Sequence, residues 1–215
     1  MSRDDFYASP FGAVYSTYME RPRLSRAIGR VVWGGDGGRY YESMSAVAAL
    51  PHGATVVDCP CGAGPALRAV PADGSLRYVG ADLSPSMIRR ARKRAEARHL
   101  PEVELVRADA TEIPLPPASA DLFLSFWGLH CFDDPEGALA EAARVLKQTG
   151  RLLGSCFVSG RGTMRQRLLV RSDAGDFGRV GTQSEVESWL VAAGFDISGI
   201  DRSGPMLFFD AKPSA

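Results

Sequence analysis

An aspartate closes an apolar run at Val56-Val57-Asp58, and a Gly-Ala-Gly turn follows at Gly62-Ala63-Gly64. Two β-branched residues suit a buried strand, and glycines in the turn after it let a ligand lie against the backbone. A second acid, Asp82, ends Tyr78-Val79-Gly80-Ala81-Asp82, 24 residues after Asp58. One strand–helix–strand unit needs that spacing. The pattern predicts a nucleoside-bearing cofactor at the strand ends of an α/β sheet. A third acid, Asp109, follows the next strand pattern. The only histidine near these segments, His130, follows the fourth and is the candidate general base.

The elements that must carry these residues alternate. Strands are predicted near 54–58, 77–82, 103–107, 121–126 and 151–157, the mark of a parallel sheet with crossover helices. A helical segment is expected directly after the glycine turn. Ser84-Pro85 reads as N-cap and first residue of a helix to about Arg98, and Asp134-Pro135 opens another to Leu146. Ser184 with Glu187 reads as a capping box, and Gly194 stops that helix. Strands at Phe195–Ile200 and Met206–Ala211 close the chain and bring the count to seven. No two-residue hairpin turn is evident between them. Residues 1–50 look helical and aromatic and form an expected substrate region and lid; residues 51–215 form the cofactor-binding part of one structural domain.

Bulk properties narrow the classes. The 215 residues are 45% hydrophobic and 23% charged, with zero formal net charge. Nothing in that balance calls for nucleic acid or an anionic membrane. No signal-like N-terminus or bilayer-length apolar run is present, so a cytoplasmic protein is expected. The four cysteines, at 59, 61, 131 and 156, form no C-x-x-C pair and read as small buried residues, with a soft-metal site as the alternative. No metal-ligand set is expected. Leu67 stands where a dinucleotide fingerprint has its third glycine, which argues against NAD or FAD, and no G-K-[ST] follows as in a P-loop.

Four segments in order resemble the class I S-adenosylmethionine-dependent methyltransferases, in the small-molecule group of methyltransferase type 11 and ubiquinone/menaquinone biosynthesis. They are Asp58–Gly64, Gly80–Met87, Arg107–Ala110 and Asp121–His130, followed by Val145–Leu152. Where the family's loop has its first glycine this chain has Pro60, which lacks a donor N–H. The resemblance implies a Rossmann-like, doubly wound, seven-stranded, mostly parallel sheet with an antiparallel last strand and an N-terminal helical lid. It implies S-adenosylmethionine as cofactor, S-adenosylhomocysteine as product, and methyl transfer to a small molecule, with no nucleic-acid or membrane partner.

The residues implied in cofactor binding are Asp58, Gly62, Ala63, Gly64, Asp82, Leu83, Met87, Asp109, Ala110 and Trp127, with Tyr15 and Tyr18 from the lid. In that family Asp82 accepts from the ribose hydroxyls, Asp109 from the adenine amino group, and Leu83 and Met87 flank the ring. Plainer roles stand beside these. Asp82 and Asp109 could cap the turns after their strands, Trp127 and the tyrosines could be packing residues, and His130 a surface or cap histidine. A non-catalytic sensor or scaffold that binds the same cofactor is the alternative function. Residues 6–41, rich in aromatics, and 158–181, with Arg161, Arg165, Arg167 and Arg171, are the expected substrate-recognition segments.

Overall fold

Strand β1 (Thr55–Asp58) is buried along its whole length, as its Val56-Val57 pair requires of a strand covered on both faces. The computed structural model describes residues 38–100, 102–159 and 178–215. Around β1 lie β2 (Arg77–Asp82), β3 (Val103–Arg107), β4 (Ala120–Phe126), β5 (Leu146–Phe157), β6 (Phe195–Ser203) and β7 (Met206–Pro213). They form one seven-stranded sheet in the order β3-β2-β1-β4-β5-β7-β6. Strands β1 to β5 pair in parallel, while β7 runs antiparallel to both β5 and β6. The doubly wound sheet with an antiparallel last strand is thus as expected.

Period-two alternation sends neighbouring residues to opposite faces. Val57, Val79, Phe123 and Leu152 pack in one core with helix α4 (Pro135–Val145) and helix α5 (Gln183–Ala192). Val56, Tyr78, Leu122 and Leu153 pack in the other with Tyr40 of α1 (Gly38–Ser43), Met44 just before α2 (Ser45–Ala48) and Val47 within it. Each such side chain, fully buried, contributes about 1.5–3 kcal/mol. The described part of the N-terminal segment therefore shares a core with the sheet. The lid residues Tyr15 and Tyr18 and the arginines at 161–171 lie outside the described residues.

The helix starts are set by side chains that satisfy free backbone N–H groups. Ser84 Oγ accepts from Met87 N at 3.3 Å at the start of α3 (Pro85–Ala97), and Asp134 Oδ1 from Gly137 N at 2.9 Å at the start of α4. The α5 box lies two residues before the expected one. Thr182 Oγ1 accepts from Glu185 N at 3.2 Å, and Glu185 Oε2 accepts from Thr182 N at 2.7 Å. Both Thr182-x-x-Glu185 and Ser184-x-x-Glu187 match the motif. The first prevails because Glu187 is engaged by Gln183 Nε2 at 2.9 Å within the helix.

Three further expectations are corrected. The segment after the glycine turn is only a 3₁₀ turn, Pro65–Ala69, cut short before Pro71. Strand β5 starts at Leu146 rather than 151. A register shift opposite Ala120–Leu122 absorbs Lys147–Gly150, and a side chain at Gly150 would meet Lys147 O at 2.8 Å. Finally, β6 and β7 do form a hairpin, with Ser203 opposite Met206 and only Gly204-Pro205 between. Gly204 has φ +61° and proline fixes a negative φ after it, the pattern of a II′ turn. Among the described residues no helix is long and apolar enough to cross a membrane.

Candidate functional site

The chain runs from β1 outward to β2 and β3, then returns to the other side of β1 as β4. Crevices for ligands open at such reversals, beyond the carboxyl ends of the strands. Asp58, the glycine loop, Asp82 and Trp127 all lie at those ends of β1, β2 and β4.

The glycine loop is tied to β2 by two hydrogen bonds. Cys61 N donates to Ala81 O at 2.8 Å, and Gly62 N donates to Asp82 Oδ2 at 2.8 Å. Gly62 (φ +52°) and Gly64 (φ +73°) are both left-handed, a conformation that favours glycine. Their surroundings differ. A Cβ on Gly64 would come within 2.6 Å of Leu67 Cδ1 and 3.2 Å of Ala91 Cβ, so this glycine serves the packing of the 3₁₀ turn on α3. A Cβ on Gly62 would meet nothing within 4 Å. Open space beside Gly62 is where a ligand can lie against the backbone. The preceding Cys59–Pro60 peptide is cis, and Pro60 Cδ fills the space that a side chain on Gly128 would enter.

Asp82 is 8% exposed, and each carboxylate oxygen accepts a backbone hydrogen bond, Oδ2 from Gly62 and Oδ1 from Ser84 N at 2.9 Å. The carboxylate therefore does cap the turn, and it also joins the loop to the start of α3. Each oxygen keeps acceptor capacity for a diol. Next to it Leu83 is 55% exposed, a large apolar side chain left in solvent at a site where a flat ring would cover it. Met87 is buried in the first turn of α3.

Asp109 is exposed, and its Oδ1 accepts from Thr111 N at 2.9 Å and Thr111 Oγ1 at 2.8 Å, while Ala110 is buried. This loop is held by a pair that the sequence reading did not single out. Glu141 on α4 accepts from Ile113 N at 2.6 Å and is clamped by Arg144, which also donates to Leu115 O at 2.9 Å and Ile113 O at 3.1 Å. The i,i+3 spacing of these two residues was the available signal. Similarly, Lys147 Nζ binds both oxygens of Asp121, and Asp121 Oδ2 accepts from Thr55 N at 2.9 Å. That pair fixes the β1–β4–β5 register.

Asp58 is buried at the end of β1 and accepts from the Tyr78 hydroxyl, a partner the sequence reading also missed. Burial pushes its carboxyl up to about 7; the Tyr78 hydrogen bond opposes this and the Asp82 charge adds to it. Burial holds the Cys59 thiol well above its ordinary range, and the charges of Asp82, Asp58, Asp109 and Glu141 add to it. Cys61 is held up likewise, so neither thiol is a nucleophile near neutral pH. None of the four cysteines is in a disulfide, and among the described residues no group of His, Cys, Asp and Glu could hold a metal.

The end of β4 is unusual. Trp127 is a non-glycine residue at φ +58°, and its N–H donates to Ser155 Oγ at 3.3 Å. Its ring packs edge-on against Phe157, centroids 5.2 Å apart. Among the described residues, the buried Trp127 Nε1 and Ser125 Oγ have no hydrogen-bond partner. Strain and unpaired polar atoms together are typical of ligand sites.

The candidate base His130 does not sit as expected of a surface or cap histidine. It is 3% exposed in the 3₁₀ turn Leu129–Cys131, and Phe157 N donates to its Nδ1 at 3.1 Å. Burial pushes its pKa down to about 3. A neutral ring that accepts at Nδ1 carries its proton on Nε2, so its one basic lone pair is already engaged.

Residues 57–154 match the Methyltransf_11 family, a methyltransferase domain. A demethylmenaquinone methyltransferase of Thermus thermophilus is 45% identical over 75 residues, 35% of this chain and 34% of that protein. The aklanonic acid methyltransferase DauC of a Streptomyces species is 35% identical over 115 residues, 52% of this chain and 51% of that one. The chain thus spans a third to a half of the length of these curated relatives. Among solved structures, a putative methyltransferase of Bacillus halodurans superposes with a TM-score of 0.72 at 18% identity, covering 83% of this chain and 100% of its own, a likeness of fold. The match over residues 57–154 and the shared fold support a class I S-adenosylmethionine-dependent methyltransferase, the family this chain is similar to.

Proposed function

We propose that this chain binds S-adenosylmethionine at the β1–β2 edge of the crevice and methylates a small molecule held above β4 and β5. The observation that carries the reading is the Gly62–Asp82 link, which sets a diol acceptor beside backbone open to a ligand. Asp82 would take the ribose hydroxyls, exposed Leu83 would cover one adenine face, and the Asp109 loop would meet its edge. When bound, the cofactor supplies a sulfonium-activated methyl group for in-line attack by a substrate nucleophile. The carboxylate-rich floor around Cys59 and Cys61 gives a negative potential that favours a cationic ligand.

On the substrate side, Phe157 and Met206 form an apolar cluster joined by Trp127, Val180 and Phe208. Such a wall suits a flat or apolar molecule and excludes water from the reacting atoms. Relatives named for demethylmenaquinone and aklanonic acid support the small-molecule reading. The chain's part in catalysis is alignment and desolvation, with His130 acting as scaffold through Phe157 rather than as base.

Calorimetric titration with S-adenosylmethionine and S-adenosylhomocysteine, with NAD as control, tests this. Binding of the first two alone is expected. Binding of NAD instead, or of none of the three, overturns the proposal.

A further inference from the structure

We infer that Pro60 is a positioning residue that joins the two halves of the site. Its ring seats on Gly128 and fixes the conformation of Trp127, so the loop proposed to take the cofactor also sets the indole wall proposed to face the substrate. This rests on the function proposed above.

Pro60 stands where the chain passes from β4 to β2. Before it, Cys59 N donates to Leu124 O of β4 at 2.9 Å; after it, Cys61 N donates to Ala81 O of β2 at 2.8 Å. Both cysteines are buried. The backbone on each side of Pro60 is therefore held by a different strand. Its ring is closed onto its own backbone nitrogen, so it cannot swing aside as an open side chain can. A shift of the loop is thus passed to whatever the ring touches rather than absorbed.

What the ring touches is the turn after β4. A side chain at Gly128 would come within 2.7 Å of Pro60 Cδ and 3.3 Å of Phe132 Cζ, so the proline occupies the place of a side chain there. Gly128 O accepts from Cys131 N at 2.7 Å, which closes the turn. The residue before it, Trp127, is at φ +58°, a conformation that a residue with a side chain keeps where its surroundings impose it. From β5, Ser155 Oγ accepts from Trp127 N at 3.3 Å, and Phe157 packs edge-on against the indole. Pro60 supplies the restraint from the loop. Loop, proline ring, Gly128 and Trp127 are consecutive links in one contact chain.

Ordering of the loop by a ligand and placement of the indole are therefore one equilibrium. The coupling is reciprocal, so occupation of either half favours the bound arrangement of the other.

The test is fluorine NMR of the full chain with its three tryptophans, at 33, 127 and 189, replaced by fluorotryptophan. The Trp127 line is assigned with Trp127→Phe. Trp189, on α5 beneath the Arg179 guanidinium, serves as the reference for an intact fold. Wild type and Pro60→Ala are compared free and saturated with S-adenosylhomocysteine. In free Pro60→Ala the Trp127 line should broaden or split while the Trp189 line stays in place. Saturation should move the Trp127 line of the wild type, and in Pro60→Ala that movement should fall by about twofold or more. Identical Trp127 lines in the two free proteins overturn the inference. Equal movements on saturation overturn it too, because they mean that the ligand reaches the indole directly. Should Pro60→Ala not fold, a Trp127 line that does not move in the saturated wild type overturns it alone. Failure of the wild type to bind S-adenosylhomocysteine in a parallel calorimetric titration overturns the cofactor reading, and the coupling falls with it.

Discussion

Gly62 N donates to Asp82 Oδ2 at 2.8 Å, so the loop after β1 and the last residue of β2 form one unit. Asp82 also accepts from Ser84 N, which extends the unit to the start of α3. One carboxylate orients three segments before any ligand arrives. That preorganisation spares a ligand the cost of ordering the loop.

Asp82→Ala therefore removes both a ligand acceptor and the tie that shapes the loop. Hydrogen bonds to a charged group contribute about 1.5–3 kcal/mol each. The expected result is a loss of S-adenosylhomocysteine affinity of at least about tenfold, read by calorimetry. Equal affinity for the variant and the wild type would remove Asp82 from the site.

The two loop glycines should respond differently to alanine. At Gly64 the added methyl is strained by φ +73° and also presses on Leu67 and Ala91. Gly64→Ala should lower stability by about 2–3 kcal/mol in urea titration. At Gly62 the methyl enters open space, so the loss should be nearer about 1 kcal/mol, from backbone strain alone. Cofactor affinity should nonetheless fall in Gly62→Ala, because the methyl occupies the ligand's approach. If Gly62→Ala binds as well as the wild type, the open space is not the cofactor's.

Local signals were the legible ones. Ser84-Pro85 and Asp134-Pro135 announce α3 and α4 because an N-cap and its proline act within one turn. Asp58 and Asp82 could be read as strand-end acids because their spacing matches one crossover. Tyr78 escaped notice because its bond to Asp58 depends on the pairing of β1 with β2 and on a missing side chain at Gly80, neither of which is local. The β6–β7 hairpin was obscured by Gly204-Pro205, which lacks the Asn-Gly or Asp-Gly pattern that marks such turns. His130 shows the limit of position alone. Its place after β4 suggested a base, but the direction of its Nδ1 toward Phe157 N is a tertiary fact.

For Arg144 the expectation concerns the loop beside Asp109. Arg144→Met keeps much of the side-chain length but leaves buried Glu141 without its cation and frees the carbonyls of Ile113 and Leu115. A loss of about 1–3 kcal/mol is expected, with faster hydrogen exchange at residues 109–115 than elsewhere. Uniform exchange along the chain would show that the clamp does not govern this loop.

His130 provides the last prediction, on stability against pH. Its folded pKa lies near 3, below the ordinary value of 6.5, because burial penalises the charged ring. Between those values the unfolded chain binds the proton and the folded chain does not. Its contribution is thus fully present above about pH 6.5 and is lost progressively as pH falls toward about 3. His130→Gln retains an amide oxygen to accept from Phe157 N but cannot titrate. Urea titrations of this variant should show a shallower fall in stability over that window than the wild type shows. Parallel curves would mean that His130 becomes charged in the folded state without penalty, and would return it to consideration as a base.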